Sequence, residues 1–532
     1  MTGTHDRVCL VDVLRDRQVA RPDEVFFSCD GESLTYRELW HRAGALATAL
    51  IHAGAQPGVV VAGLSYNCAD TLCLMFACLR AGSIWAPLNV ALGPDDLHYS
   101  AAAAQAKMLV VSREMARRNA AGLRALSATM PILQLEEMGE PDHPWLRMLR
   151  RDAAPSDYPA HSWSTREACW IIFSGATTGR PKAIVLPHSH GVACGQRSIE
   201  ALDLGAGDAF YSVLQMCHGW LLFHIITPAL LTGIPCAATR WFSASRWLAD
   251  VRRLGATIVD PFLPMIGAIM AQPERADDGD NPARACIGAL GSVSEGARPR
   301  LDAFEKRFGL KTLNGYGSTE LGGLTSRETL TVNRLGTSGC PHPHYEFRIA
   351  DEAGWPAPAG TQGEILIRPR TPGTVALGYL GNAEGTLQAW RDLWVHTSDI
   401  GYFDEDGFLN FVGRHAHWIR RKSENVSIKE VEDALLMIAG VSDAGVIGIR
   451  AEMGDEEAAA FVVVDDDTLT LEKIRDNLAQ RLAYFKIPRF YERVSELPKT
   501  VKGEVSRRHL KERGLSPGAW DAGSVSSPAK AQ

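Results

Sequence analysis

The strongest constraint in this chain is a recurring alternation between stretches of helical apolar spacing and short runs rich in Val and Ile. From Leu34, LTYRELWHRAGALATALIHAG sets apolar residues along one helical face and ends at Gly54, after which VVVAGLS has the continuous apolarity of a buried strand. A helix over Cys68 to Arg80 and another short strand follow, and the alternation returns through MLVVS, ATIVDPF and the residues before Asn314. Strands covered by helices on both faces need no polar side, and parallel neighbours need a crossover helix between them. The pattern therefore predicts stacked α/β layers with largely parallel sheets.

At 532 residues the chain exceeds what one core supports, so at least two domains are expected. After about residue 340 the texture shifts to shorter strands and turns, YEFRIADEAG, GEILIRP and DGFLNFVG, which predicts a β-rich subdomain closing the large domain. Beyond Arg414, KEVEDALLMIAG, DAGVIGIR, AAAFVVVD and LEKIRDNLAQRLA predict a small, mobile α+β domain. The expected division is 1–413 for the large domain, 414–516 for the small one, and 517–532 for a disordered tail of Gly, Ser, Pro and Ala with little to bury. No internal repeat is present.

The formal net charge is −7, so no excess of Lys and Arg is available to neutralise nucleic-acid or lipid phosphates, and a small-molecule substrate is expected. The eleven cysteines form no CxxC pair and no Cys/His cluster at zinc-ligand spacing, as suits free thiols in a reducing compartment. The N-terminus, MTGTHDRVCLVDVLRDRQ, carries charges where a signal peptide needs an apolar core. TLCLMFACLRAGSIWAPLNVAL is apolar but contains Arg80, Gly and Pro, which favours a buried helix and strand over a membrane span. A cytoplasmic protein with no membrane partner is expected.

The segment Ile172-Phe-Ser-Gly-Ala-Thr-Thr-Gly-Arg-Pro-Lys182 runs from a strand into a loop of small and hydroxyl residues closed by a base. Gly175 and Gly179 permit close backbone approach, Ser174, Thr177 and Thr178 offer hydroxyl donors, and Lys182 offers charge, a combination suited to a polyphosphate. It lacks the GxxxxGK[ST] pattern of the common phosphate loop, and a Gly/Thr-rich surface turn is the plain alternative.

This segment resembles the phosphate loop of the adenylate-forming (AMP-binding) superfamily of acyl-CoA synthetases, peptide-synthetase adenylation domains and luciferases, whose usual form is near YTSGTTGxPKG. The likeness continues in LRAGSIWAPLN at 79–89, MCHGWLLFH at 216–224, NGYGSTE at 314–320, HTSDIGYFDEDG at 396–407 and GRHAHWIRRKSENVSIKEVE at 413–432. The layout is most similar to the carnitine and aryl acyl-CoA ligase branch. The resemblance implies ATP and Mg²⁺, with CoA as a candidate co-substrate, and a homodimer as the assembly.

Carried onto this sequence, it implies that Tyr316 stacks on adenine beside Gly317 and Ser318, that Thr319 binds the α-phosphate, and that Glu320 holds the metal. Asp399 would accept from both ribose hydroxyls, and Arg414 would reach the ribose or phosphate. His218 matches the family's gate histidine beside the acyl pocket, whereas His224 is as readily structural. The pocket would be built from Trp220 to His224, Pro261 to Met265, Gly288 to Val293 and Gly315, with Trp220 and Phe223 suited to a planar substrate.

The sequence departs from the family at its end. Where relatives carry LPRTxxGKIxR, whose Lys bridges the substrate carboxylate and the α-phosphate, this chain has Leu497-Pro-Lys-Thr-Val-Lys-Gly-Glu504-Val-Ser-Arg507. Loss of such a donor costs on the order of 3 kcal/mol of transition-state stabilisation. Lys502, two residues away and so on the same face of an extended strand, is the candidate substitute, with Lys499 the weaker one. Lys422-Ser423 stands where thioester-forming members have a glycine lining the pantetheine tunnel. His417 occupies the hinge position, Ser398 replaces a Gly, and Ala176 replaces a loop Gly. The leading reading is ATP-dependent activation of a small aromatic or short acyl carboxylate as its adenylate, followed by transfer to CoA. The alternatives are a CoA-independent enzyme of secondary metabolism, such as antibiotic biosynthesis, that forms an amide or activates nitrite for an aromatic amine, and a non-catalytic nucleotide-binding homologue.

Overall fold

The computed structural model describes residues 8–136, 142–150, 161–174, 181–288, 298–351, 353–414, 418–421, 424–450, 456–466, 468–482, 486–500 and 504–523. Among these residues, two large sheets form the body. One has the strand order Gly378–Tyr379, Ala183–Pro187, Ala168–Phe173, Ile84–Pro87, Val60–Leu64, Met108–Ser112, Ile132–Glu136, Arg147–Arg150. The other runs Cys340–Pro341, Ser326–Arg327, Lys311–Tyr316, Ala285–Gly288, Ile258–Val259, Phe210–Ser212, Cys236–Ala238, Val25–Cys29, Glu32–Thr35. The interior pairings are parallel and the antiparallel ones lie toward the edges, as the sequence alternation predicts.

Side-chain alternation along the strands shows how the layers stack. Val61 of one sheet and Phe210, Cys236 and Ile258 of the other share a single core. Their chain neighbours face outward: Val60 and Ala62 under one helical layer, Tyr211, Ala237 and Val259 under another. The central core also holds the helices Tyr36–His52, Ala69–Ala81 and His188–Leu202. Ala69–Ala81 lies between two sheets, which is why it is apolar all round despite being short. It ends at Gly82, left-handed at φ 76°. Helix Tyr36–His52 starts with a capping box in which the Thr35 hydroxyl accepts from the Glu38 amide and the Glu38 carboxylate accepts from the Thr35 amide. No described helix is long and apolar enough to cross a membrane.

The β-rich part is an antiparallel sheet of Tyr345–Ala350, Gly363–Pro369, Val395–Phe403 and Leu409–Arg414. Its core of Tyr345, Ile349, Ile365, Val395 and Leu409 also takes in Tyr316 and Leu321, so this sheet braces the end of strand Lys311–Tyr316. Downstream, strands Val441–Arg450, Glu456–Val464, Phe490–Arg493 and Trp520–Asp521 form a separate sheet. Val446, Ala458 and Ala460 pack on one face of it, Ile447, Ala459 and Phe461 on the other. Helices Ile428–Leu436 and Leu471–Ala479 contribute to the first of these clusters, and helix Arg507–Arg513 gives Leu510 to the second.

The stretch after Pro517 differs from its expectation. It remains ordered through Gly523, because Trp520 has a partner to bury against: its ring lies 5.5 Å from that of Tyr491. Asp521 also accepts from Arg489 Nε and Nη2 at 2.9 and 2.8 Å. Composition suggested little to bury, but one aromatic and one ion pair accompany a short edge strand.

Candidate active site

Two parallel strands deliver the site at their C-terminal ends, where open α/β sheets ordinarily bind ligands. Strand Ala168–Phe173 leads into the Gly/Thr segment, whose ends are tied together. The Ser174 amide donates to the Lys182 carbonyl and the Lys182 amide to the Ser174 hydroxyl, each at 3.0 Å. Gly175, Thr177, Thr178 and Gly179, with Ala176, lie outside the described residues.

Strand Lys311–Tyr316 leads into the turn Gly317, Ser318, Thr319, Glu320. A Cβ on Gly317 would meet Gly323 Cα at 2.5 Å, and one on Gly315 would meet Leu324 Cδ2 at 2.4 Å, so the turn closes only with glycine at both positions. The Ser318 carbonyl accepts from the amides of Leu321 and Gly322 at 3.2 and 2.8 Å, leaving Thr319 and Glu320 part-exposed at the bend.

The structure brings Lys182 and Glu320 together through Tyr379, which sequence reasoning missed. Strand Gly378–Tyr379 pairs antiparallel with Ala183–Pro187, opposing Tyr379 to Ile184. The Tyr379 hydroxyl donates to Glu320 Oε1 at 2.9 Å, and Lys182 Nζ lies 4.4 Å from the centre of its ring. A two-residue strand carries no periodicity, so only the pairing reveals it.

Tyr316 and Asp399 also meet. The Tyr316 hydroxyl donates to Asp399 Oδ2 at 2.7 Å, and its ring lies 5.7 Å from Phe411. Asp399 is 4% exposed, and the register of the β-rich sheet opposes it to Arg414. The Arg414 side chain lies outside the described residues. Ser398, just before Asp399, has φ 58°, the left-handed conformation that favours the Gly it replaces.

Several residues expected to line an acyl pocket lie beside this turn. His218 accepts from the Trp220 amide at 3.2 Å and meets Phe262 edge-on at 6.2 Å. Trp220 lies 5.8 Å from Phe262 and 4.4 Å from His224. Residues Leu221–Ile226 form a π-helical turn, which rotates successive side chains relative to an α-helix. His224 is more than core filling: its Nε2 lies 3.1 Å from the Gly322 carbonyl, which can only accept, so Nε2 carries the proton and Nδ1 accepts from the Ser198 hydroxyl at 2.9 Å. Burial holds its pKa well below the ordinary histidine range, consistent with this neutral form. Behind Phe262, burial raises the Asp260 carboxyl to about 7, where it accepts from Ser212 Oγ and the Val213 amide at 2.6 and 3.0 Å. Of the expected pocket wall, 289–293 lie outside the described residues.

Lys502 and Ser423 also lie outside them. On either side of Lys502, Lys499 and Val505 form an isolated antiparallel bridge and the Thr500 amide donates to the Glu504 carbonyl at 2.6 Å. Lys499 is engaged by Asp443 at 2.5 Å, which makes it a poor substitute for the missing lysine.

The donor set fits Mg²⁺ with a nucleotide. Among the described residues no cluster of three His, Cys, Asp or Glu forms a metal cage, and Mg²⁺ ordinarily needs none: one carboxylate, substrate phosphates and water suffice. Glu320, part-exposed and oriented by Tyr379, would supply that carboxylate.

Comparison with known proteins shows the family. Residues 14–380 match the AMP-binding enzyme family and 430–504 the AMP-binding enzyme C-terminal domain. The crotonobetaine/carnitine–CoA ligase of Escherichia coli O8 (strain IAI1) is 30% identical over 90% of this chain and 93% of its own. That of Salmonella typhi is 28% identical over 92% and 95%. Among solved structures, the anthranilate CoA ligase AuaEII in complex with anthranoyl-AMP superposes with a TM-score of 0.82 at 24% identity, covering 96% of this chain and 97% of that one. The benzoate CoA ligase from Burkholderia xenovorans LB400 gives 0.82 at 23%, covering 94% and 99%. With family matches across both parts of the chain and the turn, base and acid of the site assembled at the strand ends, the chain belongs to the AMP-binding enzyme family.

Proposed function

We propose that the protein is an ATP-dependent, AMP-forming ligase that activates a small aromatic or short acyl carboxylate as its adenylate and transfers the acyl group to CoA. The observation that carries this reading is the junction of Lys182, Tyr379 and Glu320 next to the Tyr316–Asp399 pair: a base, a metal-binding acid and a ribose acceptor converge from three separate segments. In the first half-reaction a carboxylate oxygen attacks the α-phosphorus and the bond to pyrophosphate breaks. In the second, a thiol attacks the acyl carbon and AMP leaves. Ser174 and Lys182, with the loop between them, bind phosphates, Thr319 the α-phosphate, and Asp399 and Arg414 the ribose. Glu320 would hold Mg²⁺, which would supply positive charge against the phosphates. Trp220, Phe262 and His218 form an aromatic wall for the acid. Lys502 is retained as the substitute for the lysine missing at Glu504.

Support comes from relatives that are CoA ligases and from neighbours holding an aryl adenylate or ATP with a magnesium ion. They do not favour the CoA-independent reading, nor the role in antibiotic biosynthesis that would accompany it. Division into domains 1–413 and 414–516, a homodimer and a cytoplasmic location belong to the proposal.

The test is pyrophosphate release from Mg-ATP against a panel of aliphatic and aromatic acids, each with and without CoA. Acid-dependent release with a thioester product is expected. Release that ignores CoA but needs nitrite or an amine would replace this reading, and silence across the panel despite ATP binding would defeat it.

A further inference from the structure

Gly322 and Gly323 both lie in the left-handed region, at φ 85° and 60°, and their carbonyls are satisfied by side chains of helix His188–Leu202 and the π-helical turn. Gly322 O accepts from Arg197 Nη2 at 2.7 Å, Cys194 Sγ at 2.9 Å and His224 Nε2 at 3.1 Å, and Gly323 O accepts from Arg197 Nε at 3.2 Å. The remaining bonds of Arg197 go to the Tyr345 hydroxyl at 2.8 Å and to Cys194 Sγ at 3.2 Å. Arg197 is 2% exposed and every acceptor it has here is neutral. Burying a guanidinium against carbonyls and a phenol is a poor route to stability, because its desolvation is not offset by a carboxylate. Its rigid fork, however, grips two successive carbonyls of one short turn, which a lysine cannot do.

We propose that Arg197 is a positioning residue for adenylation: with His224, whose tautomer the Gly322 carbonyl sets and whose Nδ1 the Ser198 hydroxyl anchors, it fixes the turn that presents Thr319 and Glu320. Its uncompensated charge also favours the negative triphosphate that this turn receives. Because the His224 ring rests on Trp220, the same cradle connects the acyl wall to the nucleotide turn. The inference rests on the ligase reading.

The test compares Arg197→Lys and Ser198→Ala with the wild type in two separate assays, pyrophosphate release from Mg-ATP and acid, and thioester formation from chemically made acyl adenylate at saturation with CoA. Arg197→Lys should slow the first by about 10- to 100-fold and leave the second within about twofold, with Ser198→Ala following at smaller magnitude. Calorimetry of Mg-ATP binding should show weaker affinity in both variants. If Arg197→Lys does not fold, Ser198→Ala, which removes only a hydroxyl, carries the comparison. Equal losses in both half-reactions, tracking a lower Tm, would reduce the cradle to a structural brace, and unchanged pyrophosphate release would overturn the inference outright. A wild type that releases no pyrophosphate with any acid would take down the ligase reading and this inference together, whereas active wild type with indifferent variants sinks only the inference.

Discussion

Tyr379 does by one hydroxyl what no motif announced: it orients Glu320, the acid proposed to hold the metal. Tyr379→Phe keeps the ring beneath Lys182 and removes only the bond to Glu320, so pyrophosphate release should fall about tenfold while the melting temperature stays near that of the wild type. Asp260 gives a residue-level prediction of a different kind. Its carboxyl is neutral in the folded chain up to about 7, whereas the unfolded chain ionises it near 4. The unfolded state therefore gains as pH rises between those values, so folded stability falls through that window, by on the order of a few kcal/mol, and levels off above it. Asp260→Asn imitates the neutral form, and the difference in Tm between about pH 5 and about pH 8 should shrink; an undiminished difference would show that this carboxyl does not titrate there. Glu328, also raised to about 7 by burial, keeps some dependence in the variant. Residues such as Glu320, Asp399 and Tyr316 were legible because they sit in contiguous motifs. Tyr379, Arg197 and Ser198 were not, since each acts through a tertiary contact, spanning 59, 125 and 26 residues respectively, that has no signature in sequence.

Elements were legible where their physics is local. The stop at Gly54 marks a helix end, and the Val-rich runs mark strands buried on both faces; the capping box at Thr35 and the left-handed Gly82 are local features of the same kind that the structure adds. The π-helical turn Leu221–Ile226 was hidden, because a run apolar at every position fits any helical period. The turn from Gly317 to Gly323 was legible as a motif but not as a geometry. Gly323→Ala puts a Cβ 2.6 Å from His224 Nε2 in a backbone conformation that disfavours it. The variant should lose about 2–4 kcal/mol in thermal or denaturant unfolding, combining left-handed strain with a displaced buried hydrogen bond. A loss below about 1 kcal/mol would mean that the turn relaxes freely and that its left-handed geometry is not enforced.

At the scale of the molecule, the layered order followed from strands apolar on both faces and a helix apolar all round, which only a position between two sheets accommodates. Pairing at the extreme C-terminus did not follow, because a single Trp among Gly, Ser and Pro gives no pattern to read. Among the described residues, the apolar clusters of the final sheet draw only on residues from Ile419 onward. A fragment of residues 414–523 should therefore melt cooperatively by itself, and one ending at 516 should be less stable by about 1–2 kcal/mol for want of Trp520. Non-cooperative melting of the longer fragment would show that its core depends on the rest of the chain. Trp520–Asp521 is also the outermost strand, lying along Phe490–Arg493. A purification tag fused after Gly523 leaves that flank sealed, but a truncation at Pro517 uncovers a row of unpaired amides and carbonyls on which a second molecule can dock, so a shortened protein would be prone to precipitate during handling even with its catalytic chemistry untouched.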